Sequence, residues 1–83
     1  MGRADRAVER LFASPKDFSW DELATVMRHF GYVLKTGGGS SRKFIHPSTK
    51  ATFMIHEPHP AHILKMYQVR DAVKFLRQEK HHE

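Results

Sequence analysis

The 83-residue sequence has no cysteine, one tryptophan and two tyrosines, and its longest apolar runs span only a few residues. Lacking cysteine, it has neither a disulfide framework nor a thiolate zinc site, the usual staples of small secreted or metal-dependent domains. The apolar runs fall far short of a membrane span, and the opening MGRADRAVERLF lacks the apolar core of a signal peptide. These features point to a cytoplasmic chain without membrane attachment. Acidic groups are also scarce. Nine Asp and Glu face fourteen Lys and Arg, a formal charge of +5 with the seven His neutral. The resulting field favours phosphates, anionic lipid or an acidic partner. A chain this short supports one hydrophobic core, so residues 1–83 are read as a single domain.

Helical spacing comes first. Ala4, Ala7, Val8, Leu11 and Phe12 line one side of a helix from Arg3 to Ala13, which Ser14-Pro15 stops. Ser19-Trp20-Asp21-Glu22 reads as a capping box, with Phe18 and Leu23 as its hydrophobic staple. The stripe Leu23, Val26, Met27, Phe30 continues that second helix to Gly31, a C-cap glycine. The spacing then turns to alternation. Strands are predicted over Tyr32 to Lys35, Ser41 to His46 and Ala51 to His56, separated by Thr36-Gly37-Gly38-Gly39-Ser40 and by Pro47-Ser48-Thr49. Glu57-Pro58-His59-Pro60-Ala61-His62 is irregular because its prolines remove donors and restrict their predecessors. A last amphipathic helix runs from about Gln68 to Arg77 on Val69, Ala72, Val73 and Leu76.

The predicted fold is therefore α+β, an antiparallel three-stranded sheet with helices on one face. Residues 1–18 form an N-terminal helical extension, 19–77 the core and 78–83 a frayed tail. Phe44, Phe53 and Ile55 point to the helices, so Ser41, Lys43, Met54 and His56 face the open side. Trp20, Leu64, Met66 and Tyr67 are assigned to the core; any of them left exposed would instead suggest contact with a protein partner.

The order α-β-β-β-α, with Gly31-Tyr32, then Gly39-Ser40-Ser41-Arg42-Lys43-Phe44-Ile45-His46-Pro47 and Pro58-His59-Pro60, resembles the HicA toxins of bacterial toxin-antitoxin pairs. The resemblance covers roughly Trp20 to Leu76. It implies a fold like the double-stranded-RNA-binding domain, ribosome-independent mRNA cleavage, and neutralisation by a HicB-type antitoxin. Gly39, Ser40, Phe44, His46, Pro47 and His59 match the family pattern. Ser41 does not, for it stands where the family has a histidine taken to be catalytic.

RNA cleavage without a metal requires one group to take the 2′-hydroxyl proton, another to protonate the leaving oxygen, and a cation to stabilise the phosphorane. Histidine suits both proton steps. A turn at Ser48-Thr49 with Pro47 opposite Lys50 would set His56 across from Ser41 on the open face, a neighbouring substitute for the missing histidine. His56 and His59 are accordingly the catalytic candidates. His46 is read as a turn cap. Lys35, Gly39, Ser40, Arg42, Lys43, Lys65 and Arg70 are the RNA-binding candidates, with exposed glycine-loop amides next to cations able to neutralise phosphate. Lys50 adds to this basic surface.

His56, His59 and His62 have only Glu57 among them as a carboxylate and no thiolate nearby, so no metal is assigned. Gly37-Gly38-Gly39 lacks the lysine-serine ending and βαβ setting of a nucleotide-binding loop, so no nucleotide cofactor is assigned either. Two other readings remain open. One is an RNA-binding module of this fold that has lost cleavage; the other is a protein-interaction domain whose charge serves an acidic partner.

Overall fold

The structure is a computed structural model that describes residues 2–81. Its elements run α1 (Arg3–Phe12), α2 (Trp20–His29), β1 (Val33–Thr36), β2 (Ser41–Ile45), β3 (Thr52–His56) and α3 (Met66–Gln78). The strands form one antiparallel sheet in the order β1-β2-β3. This is the α+β, double-stranded-RNA-binding-domain-like order α-β-β-β-α, preceded by one additional helix.

Local chemistry sets the boundaries. At the start of α2, Ser19 Oγ accepts from the Glu22 amide at 3.1 Å, and a Glu22 carboxylate oxygen accepts from the Ser19 amide at 3.1 Å. Phe18 and Leu23 are fully buried beside this cap. At the other end Gly31 adopts φ +93°, and the Gly31 and Tyr32 amides donate to the carbonyls of Arg28 and Met27. That pairing is a Schellman motif, whose left-handed residue glycine adopts without a Cβ penalty.

Phe44 pairs with Phe53 across β2 and β3, and both are buried against the helices together with Ile55. The Trp20 ring meets Phe44 at 5.6 Å between centroids, and Phe75 of α3 meets Phe53 at 5.1 Å. α1 packs on the same core through Ala7, Val8 and Leu11, with Arg10 donating to Glu22 at 2.7 Å. Full burial of one such aliphatic side chain contributes roughly 1.5–3 kcal/mol, so α1's apolar stripe is accounted for within its own domain.

α3 starts at Met66, two residues before the position predicted from periodicity. The cause is Gln68, whose Oε1 accepts from the Lys65 amide at 3.0 Å and so stabilises one extra half-turn. Position 67 then falls on the polar side of the helix, since Val69, Ala72, Val73 and Leu76 define the opposite face. Tyr67 is consequently 55% exposed, which corrects the expectation that it lies in the core; Trp20 and Leu64 are buried and Met66 is half-buried.

Residues 78–81 also differ from the frayed tail expected. Gln78 still belongs to α3, Lys80 takes φ 61°, and the His81 amide donates to the Leu76 carbonyl. The His81 ring then reaches the Tyr32 hydroxyl, with Nε2 and Oη 2.9 Å apart. His82 and Glu83 lie outside the described residues.

Candidate active site and nucleic-acid interface

Strand alternation builds the open face in rows. Lys35, Lys43 and Met54 are register partners across β1, β2 and β3, and Val33, Ile45 and Thr52 form the neighbouring row. Next to the lysine row, Ser41 is paired with His56. The β2–β3 turn produces this register. The His46 amide donates to the Ala51 carbonyl and the Lys50 amide to the His46 carbonyl, while Lys50 adopts φ 66°. His46 Nδ1 accepts from the Ser48 and Thr49 amides at 3.2 and 3.3 Å, so this histidine caps the turn.

His56 ends β3 at the lip of a groove of about 470 Å³. Ser40 lies on one side, Glu57, Pro58 and His59 on another, and Ile63, Lys65, Tyr67 and Gln68 close the far wall. Ser40 Oγ is 3.3 Å from His56 Nδ1. The Ser40 carbonyl accepts from the Glu57 amide, which prolongs the β2–β3 pairing past His56. From the far wall, Gln68 Nε2 donates to the His56 carbonyl at 3.0 Å, so one buried glutamine ties the first turn of α3 to the residue at the groove's lip.

The proline loop is held from below. The Trp20 amide donates to the His62 carbonyl and the Leu64 amide to the Phe18 carbonyl, both at 2.8 Å. Glu57 reaches Arg42 at 3.0 Å and His62 at 3.7 Å, and the His59 and His62 rings stand edge to face at 5.6 Å. Among the described residues no three His, Asp or Glu side chains are gathered closely enough to hold a metal ion.

The groove thus brings together Ser40, His56, His59 and Lys65 from the candidates named above, with Ser41 adjoining. Lys35 and Lys43 lie on the sheet beside it. Gly39 adopts φ 60° at the exposed turn. Arg42 points the other way, toward the helix side, where it bonds Glu57 and the carbonyls of Gly39 and Ser41. Arg70 is separate, in a second groove of about 490 Å³ with Ser14, Val73, Lys74 and Arg77. Sequence reasoning placed Tyr67 in the core, with a protein contact as its reading if exposed, and named neither Ile63 nor the bridging role of Gln68; Tyr67 and Ile63 are both exposed at the groove.

A family model described as the HicA toxin of bacterial toxin-antitoxin systems matches residues 20–78. The chain belongs to the HicA toxin family. The match begins at the first residue of α2 and ends with α3, so α1 is an addition outside it. No curated protein and no solved structure matches the chain. No helix among the described residues is long and apolar enough to cross a membrane.

Proposed function

We propose that this HicA-family protein is a metal-independent ribonuclease of the cytoplasm, which binds mRNA along its open sheet face and cleaves it at the groove beside His56. A HicB-type antitoxin covering the same face holds it inactive. The observation that carries this reading is the pairing of His56 with Ser41, which sets an imidazole directly across the sheet from the position where the family has its histidine.

In the proposed reaction, His56 Nε2 removes the 2′-hydroxyl proton and the 2′-oxygen attacks the adjacent phosphorus. The bond to the 5′-oxygen breaks, leaving a 2′,3′-cyclic phosphate on one fragment. The second fragment's oxygen takes a proton from His59 and leaves as a 5′-hydroxyl. Lys65, and Lys43 from the sheet, supply positive charge to the phosphorane. Ser40 is a positioning residue: with Nδ1–H donating to Ser40 Oγ, Nε2 carries the lone pair that a base requires. Glycine-turn amides at Gly39 and Ser40, with Lys35, hold phosphates on the approach to the groove.

Ser41 itself favours a second reading, an RNA-binding module that has kept the fold and lost the chemistry. One experiment separates them. Purified protein, free of antitoxin, is incubated with end-labelled RNA in EDTA beside a His56→Ala variant. The ribonuclease reading expects fragments ending in cyclic phosphate from the wild type and a loss of about 10²-fold or more in the variant. Undiminished cleavage by His56→Ala would remove His56 from the mechanism, and binding without cleavage by the wild type would favour the silent module.

A further inference from the structure

We infer that Tyr67 is a stacking platform for an unpaired nucleobase, so that the RNA accepted at this groove is single-stranded at the cleavage point. The inference rests on the ribonuclease reading and deepens it by naming the substrate class.

Tyr67 is 55% exposed, Ile63 is 39% exposed, and both line the groove that holds His56, His59 and Lys65. The lining therefore combines an aromatic face and an aliphatic side chain with imidazole, hydroxyl and ammonium groups, and its one carboxylate among the described residues, Glu57, is neutralised by Arg42 at 3.0 Å. A volume of about 470 Å³ falls within the range of small-ligand sites, which are mostly apolar with a few placed polar groups. A nucleobase with its phosphate has this same division between a flat π face and an anionic edge.

The backbone that carries the platform is tied to the backbone of the candidate base. Gln68, the residue after Tyr67, accepts from the Lys65 amide and donates to the His56 carbonyl. These two bonds set the backbone of α3's first turn against the end of β3. The Cα positions of Tyr67 and His56 are thus held in one frame, which brings a base on the tyrosine to the same groove as the imidazole. Preorganisation of this kind reduces the ordering cost of binding.

The chemistry makes the same demand. Attack by the 2′-oxygen needs it in line with the departing 5′-oxygen, and the regular backbone of an A-form duplex holds the two far from that line. The reacting nucleotide has to leave the stack, and an unstacked base is what aromatic side chains capture in RNA recognition. The lysine row Lys35 and Lys43 can hold flanking phosphates in either strand state, so selection for the unpaired state falls to the groove.

The test is a binding measurement with RNA that cannot be cleaved. Wild-type protein, free of antitoxin, is titrated by fluorescence anisotropy into a labelled 2′-O-methyl oligonucleotide, once as a single strand and once annealed to its complement. Tyr67→Ala and Tyr67→Phe are titrated alongside. The single strand is expected to bind more tightly than the duplex, Tyr67→Ala to weaken the single strand about tenfold with little effect on the duplex, and Tyr67→Phe to retain wild-type affinity. Because Tyr67 is on the surface, Tyr67→Ala is expected to fold, which circular dichroism checks. Equal or tighter duplex binding, or unchanged single-strand affinity in Tyr67→Ala, overturns the inference; the second result would leave Tyr67 to a protein partner. Single-strand preference that Tyr67→Ala removes, without cleavage of ordinary RNA, overturns the ribonuclease reading and leaves the stacking platform to an RNA-binding module that does not cleave. Cleavage indifferent to Tyr67 overturns this inference alone, and absence of binding to either RNA overturns both.

Discussion

The Arg42 guanidinium donates from Nε to Glu57 Oε1 at 3.0 Å, and the two side chains are only 16% and 17% exposed. The same guanidinium donates from Nη1 to the carbonyls of Gly39 at 2.8 Å and Ser41 at 2.9 Å. One residue of β2 therefore fastens the glycine turn on one side and the proline loop on the other. The glycine turn ends on Ser40 and the proline loop begins after His56, and the side chains of these two residues meet at 3.3 Å.

Removing the guanidinium should loosen both segments together. Arg42→Ala leaves the Glu57 carboxylate confined without its main cation, and a loss of about 2 kcal/mol is expected for charged hydrogen bonds at a half-closed site. Arg42→Lys restores the charge but not the fork that reaches three acceptors, so it should recover only part of the loss. Urea unfolding of the two variants measures this. A wild-type midpoint for Arg42→Ala would show that the clamp contributes nothing to the fold.

The register of β2 and β3 makes a gain-of-function substitution informative. Ser41→His places a second imidazole opposite His56, where the residue is partly exposed and a longer side chain can extend over the open face. Cleavage of labelled RNA in EDTA is expected to rise by about tenfold or more, with one imidazole able to act as base while the other acts as acid. Cleavage no faster than wild type, in a folded variant that still binds RNA, would show that the position opposite His56 does not reach the reacting atoms.

Much of this arrangement could be read in advance because its causes are local. The Ser19–Glu22 cap, the glycine at 31 and the Pro47–Lys50 turn each act within a few residues, and the turn, with Phe44 and Phe53 buried as a pair, sets the register in which Ser41 meets His56. The features that were missed depend on distant partners. Arg42 follows a glycine loop and reads as a phosphate ligand; only the fold brings Glu57 beneath it. Tyr67 reads as core when α3 is started at Gln68, and becomes a surface residue once Gln68 caps the Lys65 amide and moves the start back to Met66. His81 has no local signal at all, since its partner, Tyr32, lies 49 residues away.

Backbone conformation supplies a stability prediction of opposite signs at two turns. Gly31 has φ +93°, and a Cβ there would lie 3.1 Å from His46 Nε2. Gly31→Ala combines left-handed strain with displacement of the ring that caps the β2–β3 turn, so a loss of about 2 kcal/mol is expected. Lys50, exposed at φ 66°, already bears such strain. Lys50→Gly should gain up to about 1 kcal/mol, less the entropy that glycine adds to the unfolded chain. Thermal unfolding of both variants decides it, and an unchanged midpoint for Gly31→Ala would show that neither strain nor ring displacement is felt.

The docked His81 predicts how stability depends on pH. Its ring stacks on Phe30 at 5.0 Å between centroids, lies 6.2 Å from the His46 ring, and meets the Tyr32 hydroxyl through Nε2. Burial, and then the neighbouring His46, hold His81 below the usual imidazole value of 6.5, with Glu79 opposing them. Burial and Glu79 push Tyr32 up to about 12, so the phenol stays neutral throughout the acid range. The folded state therefore binds the His81 proton less tightly than the unfolded chain. The stability from this contact is complete above pH 6.5 and is lost as pH falls through the lowered value. His81→Phe keeps the ring packing and removes the titration. Between about pH 7 and about pH 5, its thermal midpoint should fall less steeply than that of the wild type. Parallel midpoint curves would show that burying the His81 ring beside His46 does not couple its protonation to folding.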